Sequence, residues 1–148
     1  MGYEFLEHTA DVKFRASGST KEELFGFCVD ALNDTIRGDI KILEQVEREI
    51  VVEGRDLEEL LYSFLEEFLV LLDSEGFLVS SVRGFVIEGM SLKCIAMGDD
   101  AENYKFTNDV KAVTYSEMVV RKEVSGLGGG GLESGVDRKW VAEVVLDV

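Results

Sequence analysis

The residues of this chain whose types and positions could do chemistry are His8, Asp11, Lys111 and Asp147. His8 is the single histidine, and it lies with Asp11 in the run His8-Thr9-Ala10-Asp11. Asp147 stands at the far end, next to Val148. Two carboxylates held close together shift each other's titration unless a cation sits between them. Hard divalent cations accept such carboxylates together with main-chain oxygens. Val148 adds a main-chain oxygen and a carboxylate beside Asp147, so the two chain ends, brought together, would make one acidic metal site. The spacing alone leaves a plainer alternative open, in which Asp11 caps a turn and Asp147 is solvated like most acidic residues. His8 suits a metal ligand or a general base. With no second histidine, a His-rich zinc site is excluded. Lys111 lies among apolar residues, where it can snorkel, pair with a carboxylate or be presented to a partner. No Gly-x-Ser-x-Gly, His-Glu-x-x-His or Cys-x-x-Cys pattern occurs, so these residues by themselves name no reaction. A metal-dependent hydrolase using Asp11, Asp147 and His8 to activate a bound water stays open at this point.

The composition narrows the choices. The chain has 148 residues, 46% of them hydrophobic. That is enough for one domain, 1–148, with a real core. The formal net charge of −15 argues against a nucleic-acid binder, which needs clustered Lys and Arg to displace counterions from phosphates. It equally disfavours an anionic membrane surface. It favours cations or a basic protein partner. Cys28 and Cys94 are isolated and sit among apolar neighbours, which suggests reduced core residues rather than a disulfide or a zinc motif. The opening Met1-Gly2-Tyr3-Glu4 has neither the basic start nor the apolar core of a signal peptide. No apolar run reaches the length of a membrane helix. A cytoplasmic protein is expected.

The elements that must position these residues follow from periodicity. The first strand ends near Glu7 or His8, Thr9-Ala10 reads as a bend, and Val12 to Ser17 alternates as a second strand. Thr20 with Glu23, and Asp56 with Glu59, have the capping-box spacing that starts a helix. The first helix carries Leu24, Cys28, Ala31, Leu32 and Ile36 on one face and ends at Gly38. The second carries a wide stripe from Leu57 through Phe64 and Phe68 to Leu72, closed by Asp73 to Gly76. Between the helices, Ile40 to Val52 suggests one or two strands, separated near Glu44-Gln45. Phe77 to Ile87 and Met90 to Met97 read as a hairpin through Glu88-Gly89. Gly98 to Asn103 reads as a solvated acidic loop, with spacing unlike a calcium-binding loop. Val110 to Val120 and Trp140 to Val148 read as strands. The glycine-rich run Ser125 to Gly135 reads as their connection, because phosphate loops need a helix N-terminus or a lysine directly after. Two helices among strands joined mostly by short turns imply an α+β fold: a largely antiparallel or mixed sheet with two amphipathic helices packed on it.

Three runs together carry a family resemblance. His8-Thr9-Ala10-Asp11 before an alternating strand resembles the opening motif of the archease family. Lys111-Ala112-Val113-Thr114-Tyr115 resembles its second motif, and Trp140 to Val148 its ending. The resemblance implies an accessory protein rather than a stand-alone enzyme. It would activate the RtcB-type tRNA-splicing ligase, promoting ligase guanylylation and repeated turnover. The family's metal ligands map onto Asp11, Asp147 and Val148, with an oxygen-ligated divalent ion of the Ca, Mg or Mn type. The family lysine maps onto Lys111, and His8 joins it as a residue of partner activation. A family role as chaperone or modulator of an RNA-modifying enzyme, such as a tRNA methyltransferase, is a second implication. One departure stands out: the family places a histidine after the tyrosine of the second motif, and this chain has Ser116.

Overall fold

A computed structural model describes residues 1–8, 11–107, 110–125 and 137–148. The elements run β1 (Gly2–Leu6), β2 (Val12–Gly18), α1 (Lys21–Arg37), β3 (Val46–Glu53), α2 (Leu57–Glu75), β4 (Phe77–Glu88), β5 (Ser91–Asp100), a 3-10 turn (Ala101–Asn103), β6 (Ala112–Ser125) and β7 (Asp137–Asp147). Both helices begin as their sequences require. The Thr20 hydroxyl accepts from the Glu23 amide at 3.0 Å, and Asp56 Oδ1 accepts from the Glu59 amide at 2.8 Å. Each glutamate reaches back to satisfy a further main-chain donor, at Ser19 and at Arg55. The unpaired amides of a helix start are thereby covered. Gly76 ends α2 at φ 63°, a left-handed position that glycine takes without steric cost.

The α+β class is borne out, with the strands divided between two antiparallel sheets. One sheet has the order β1-β2-β7-β6, the other β3-β5-β4. The helices lie between them: α1 packs on β1, β2 and β7 and also on β4, while α2 packs on β6 and also on β3, β4 and β5. A helix with a sheet on either side must be apolar over much of its circumference. In α2, Leu60, Leu61, Phe64, Leu65, Phe68, Leu69 and Leu71 are all buried. The single core formed in this way joins Phe14, Ala16, Val144 and Leu146 of the larger sheet to Ile50, Leu92, Cys94 and Ala96 of the smaller.

Ile40 to Val52 supplies one strand, β3, beginning at Val46. In the acidic run after Gly98, Asp100, Glu102 and Asn103 are exposed, as its polarity suggests, but Asp99 is not. Gly98, Asp99 and Asp100 complete β5, and Asp99 is only 6% exposed. Its carboxylate accepts from the Tyr104 hydroxyl at 2.7 Å and the Asp100 amide at 2.8 Å. Those bonds hold its pKa below the usual carboxylate range. The glycine-rich run falls almost entirely in 126–136, outside the described residues, as do Thr9 and Ala10.

Cys28 and Cys94 are buried free thiols. Burial pushes the Cys28 thiol far up and the Cys94 thiol up to about 12. Thiolate is the reactive form. Both cysteines are therefore expected to stay unlabelled by a thiol reagent such as dithionitrobenzoate in the native protein and to react together once urea unfolds it. Rapid labelling under native conditions would contradict this burial.

Candidate metal centre at the end of the larger sheet

Strand register assembles the site. β7 runs between β2 and β6, antiparallel to both. Val12 lies opposite Leu146, so Asp11, one residue earlier, arrives at the level of Asp147. On the other side Ala112 lies opposite Asp147, and the Lys111 amide donates to the Asp147 carbonyl at 2.7 Å. Asp11, Lys111, Asp147 and Val148 thus meet at one end of one sheet, although the sequence separates them by most of its length. Val148 packs its side chain partly against the core, which fixes the direction of the last residues. Lys111 and Asp147 are exposed, and Asp11 is half-buried.

His8 takes a different partner from the aspartates. Its Nε2 lies 3.5 Å from Glu117 Oε2, and its Nδ1 is buried with no hydrogen-bond partner among the described residues. Glu117 reaches it because β6 bulges: the run between Thr114 and Val119 outnumbers its β7 partners between Val145 and Glu143. Tyr115, in the same bulge, sets its ring edge-on to Tyr62 of α2 at 5.6 Å. The bulge carries no signal in the sequence beyond the break in alternation after Thr114.

The donor set decides what cation fits. Among the described residues, no three His, Cys, Asp or Glu side chains converge closely enough to hold a metal. A cation at the sheet end would therefore have to rest on the two aspartates and on main-chain oxygens. That all-oxygen set suits Ca²⁺, Mg²⁺ or Mn²⁺, and it lacks the nitrogen and sulfur donors that zinc and copper favour. The residues fit a hard divalent ion.

Behind this end, the face of the sheet turned away from the helices carries a charge cluster that the sequence reading missed. Glu143 receives Arg15 Nη2 at 3.1 Å, Lys13 Nζ at 3.5 Å and Arg121 Nη2 at 3.6 Å. Strand alternation was the available signal: Lys13 and Arg15 face outward on β2, as Glu143 does on β7. Burial pushes the Glu143 pKa up, but the Arg15 and Lys13 contacts outweigh it and hold the group below its usual value. The stabilisation is complete above the unfolded-state pKa, about 4.3 for glutamate. It is lost as pH falls through the lower folded-state pKa. The stability gap between wild type and Glu143→Gln, read from urea midpoints, is expected to be widest near neutrality and to close on acidification. A gap independent of pH would contradict this role.

Comparison with known proteins agrees with the architecture. The Archease protein family model matches residues 3–148. Protein archease of Thermococcus gammatolerans is 40% identical, covering 99% of this chain and 98% of that protein. Protein archease of Pyrococcus abyssi is 37% identical with the same coverage. The solution structure of Methanobacterium thermoautotrophicum protein 1598 superposes with a TM-score of 0.71 at 27% identity, covering 99% of each chain. The crystal structure of an archease from Thermotoga maritima, described as a possible chaperone, shares the fold with a TM-score of 0.60 at 23% identity, covering 97% of this chain and 94% of that one. From residue 3 to residue 148, this chain belongs to the archease family.

Proposed function

We propose that this protein is an accessory activator of an RtcB-type tRNA-splicing RNA ligase, promoting its guanylylation and repeated turnover through the acidic end of the larger sheet. The convergence of Asp11, Lys111 and Asp147 by strand register is the observation that carries this reading. Asp11, Asp147 and a Val148 main-chain oxygen would hold the divalent ion. Bound there, the ion supplies positive charge against phosphate oxygens, and nucleotidyl transfer depends chiefly on such charge compensation and positioning. Lys111, exposed and tied by its amide to the Asp147 carbonyl, would offer its ammonium to a phosphate or a carboxylate of the partner. His8, 3.5 Å from Glu117, would join Lys111 in engaging the partner.

The net charge of −15 favours docking on a basic protein surface and opposes a direct grip on RNA. The test is covalent ligase–GMP formation with GTP and a divalent metal, in the presence and absence of this protein. Faster guanylylation and more than one turnover per ligase are expected. An unchanged ligase would overturn the proposal. It would favour a chaperone role, the possibility raised for the Thermotoga maritima protein, which suppression of aggregation of unrelated proteins would then establish.

A further inference from the structure

Residues four apart fall on one line along a helix. In α2, Glu58, Tyr62, Glu66 and Val70 make such a line, carboxylate alternating with apolar group, and none of the four is buried. The bulge of β6 lies beside it and carries Tyr115, a large ring left 45% exposed. That ring meets Tyr62 edge-on, at 5.6 Å with 84° between the planes. An edge-on pair covers one ring face at most. Exposed aromatic rings of this kind anchor protein interfaces. The charge around the rings is uncompensated. Burial first, then the charges of Asp56, Glu59 and Glu58, raise the Tyr115 pKa, and hydrogen bonding to Glu66 raises that of Tyr62. Arg55, the cation at the start of α2, is committed to Glu59 at 2.8 Å. Glu58 and Glu66 have no ion pair among the described residues, whereas Glu143 on the outer face of the larger sheet has three.

We infer that the Tyr62–Tyr115 pair, with the flanking Glu58 and Glu66, is the docking surface for a basic segment of the partner protein, an arginine of which lies against the Tyr115 ring. The identity of that partner as the ligase rests on the function proposed above; the chemistry of the surface does not. A ring face attracts a cation. Arginine suits the place better than lysine, because its planar guanidinium can stack on the ring and bond a neighbouring carboxylate at the same time. The net charge of −15 opposes the other occupants, a second copy of this chain or a nucleic acid, by like-charge repulsion. Tyr115 follows Ala112, the residue opposite Asp147, by three positions of the same strand. That is roughly 10 Å, so a partner seated here has the sheet end within reach.

The test has two arms. In the first, an acetylated tetra-arginine amide is titrated into ¹⁵N-labelled full-length protein. Amide shifts centred on residues 58–66 and 115 are expected, and Tyr115→Ala should lose them. Shifts spread evenly over the acidic surface, or unchanged in Tyr115→Ala, would overturn the surface whatever the ligase does. In the second arm, Tyr115→Ala is expected to raise the protein concentration needed for half-maximal ligase guanylylation by about tenfold or more, the loss of an interface anchor. It should still reach the wild-type maximum at saturation. Tyr115→Phe, which keeps the ring, should match wild type. Glu58→Gln with Glu66→Gln leaves both rings in place and should slow association more than it speeds dissociation, since charges at an interface edge act on encounter. This pair decides the point should Tyr115→Ala fail to fold by circular dichroism. An unchanged half-maximal concentration in Tyr115→Ala, an equal loss in Tyr115→Phe, or an unaltered association rate in the glutamine pair would overturn the docking role. A ligase indifferent to wild type at every concentration counts against the proposed function alone, and the peptide titration then decides the surface.

Discussion

Asp147→Asn is expected to weaken divalent metal binding at the sheet end by at least about tenfold, because even outer partners of metal ligands are worth about 10- to 100-fold in affinity. The substitution keeps the shape of the side chain and removes one of the two carboxylates proposed to hold the ion. The Asp147 main chain pairs with Ala112 and bonds to the Lys111 amide, and neither contact involves the side chain, so the fold is preserved. Calorimetric titration with Ca²⁺ or Mn²⁺ measures the change, with circular dichroism as the check on folding. Asp11→Asn is expected to have a similar effect, and the double variant should lose little beyond either single one, since one carboxylate cannot hold the ion tightly. Unaltered titrations in Asp147→Asn would remove the metal from this end of the sheet.

The largest effect on stability is expected at Phe64. Its side chain is fully buried in α2, stacked with Phe25 of α1 at 5.9 Å and edge-on to Phe68 at 5.1 Å and Phe85 of β4 at 5.6 Å. It is the point where the two helices and the smaller sheet interlock. Phe64→Ala removes the ring and leaves a cavity, which costs about 3–5 kcal/mol in comparable cores. Domains have a total stability of about 5–15 kcal/mol, so the variant should melt roughly 6–20 °C lower. Val51, exposed on β3, is the contrast, because truncation there is expected to stay within about 0.5 kcal/mol. Thermal unfolding of both variants decides the matter. A Phe64→Ala melting point within a few degrees of wild type would mean that the ring is not the junction described.

What the sequence discloses about this fold is local. Thr20 with Glu23 and Asp56 with Glu59 mark the helix starts because capping requires acceptors three residues apart. Alternation from Val12 to Ser17 and from Trp140 to Asp147 marks the strands that carry the candidate ligands, since the period of a strand is two. Three features depend on long-range pairing and leave weaker traces. The split into two sheets follows from β7 inserting between β2 and β6, which no local pattern dictates. The bulge around Glu117 alters which residue meets His8. Asp99 reads as surface by its charge, yet the Tyr104 hydroxyl and the Asp100 amide stabilise it in a buried position. The candidate site shows the same division. Asp11, Asp147 and Val148 stand out as an acidic pair of chain ends and Lys111 as a cation among apolar residues, the resemblance in three short motifs supplies their roles, and the register of β2, β7 and β6 brings their backbones together.

The central claim is that Asp11, Lys111 and Asp147 act as one unit on the ligase. It is tested most directly by ligase–GMP formation at saturating amounts of wild type, Asp11→Asn, Lys111→Ala, Asp147→Asn and, as a control at the far end of α1, Asp34→Asn. The account predicts that wild type and Asp34→Asn stimulate guanylylation equally, and that each of the three sheet-end variants loses about 90% or more of the stimulation, as expected for groups acting together. Full stimulation by Asp147→Asn or Lys111→Ala, with the variant folded, would contradict it.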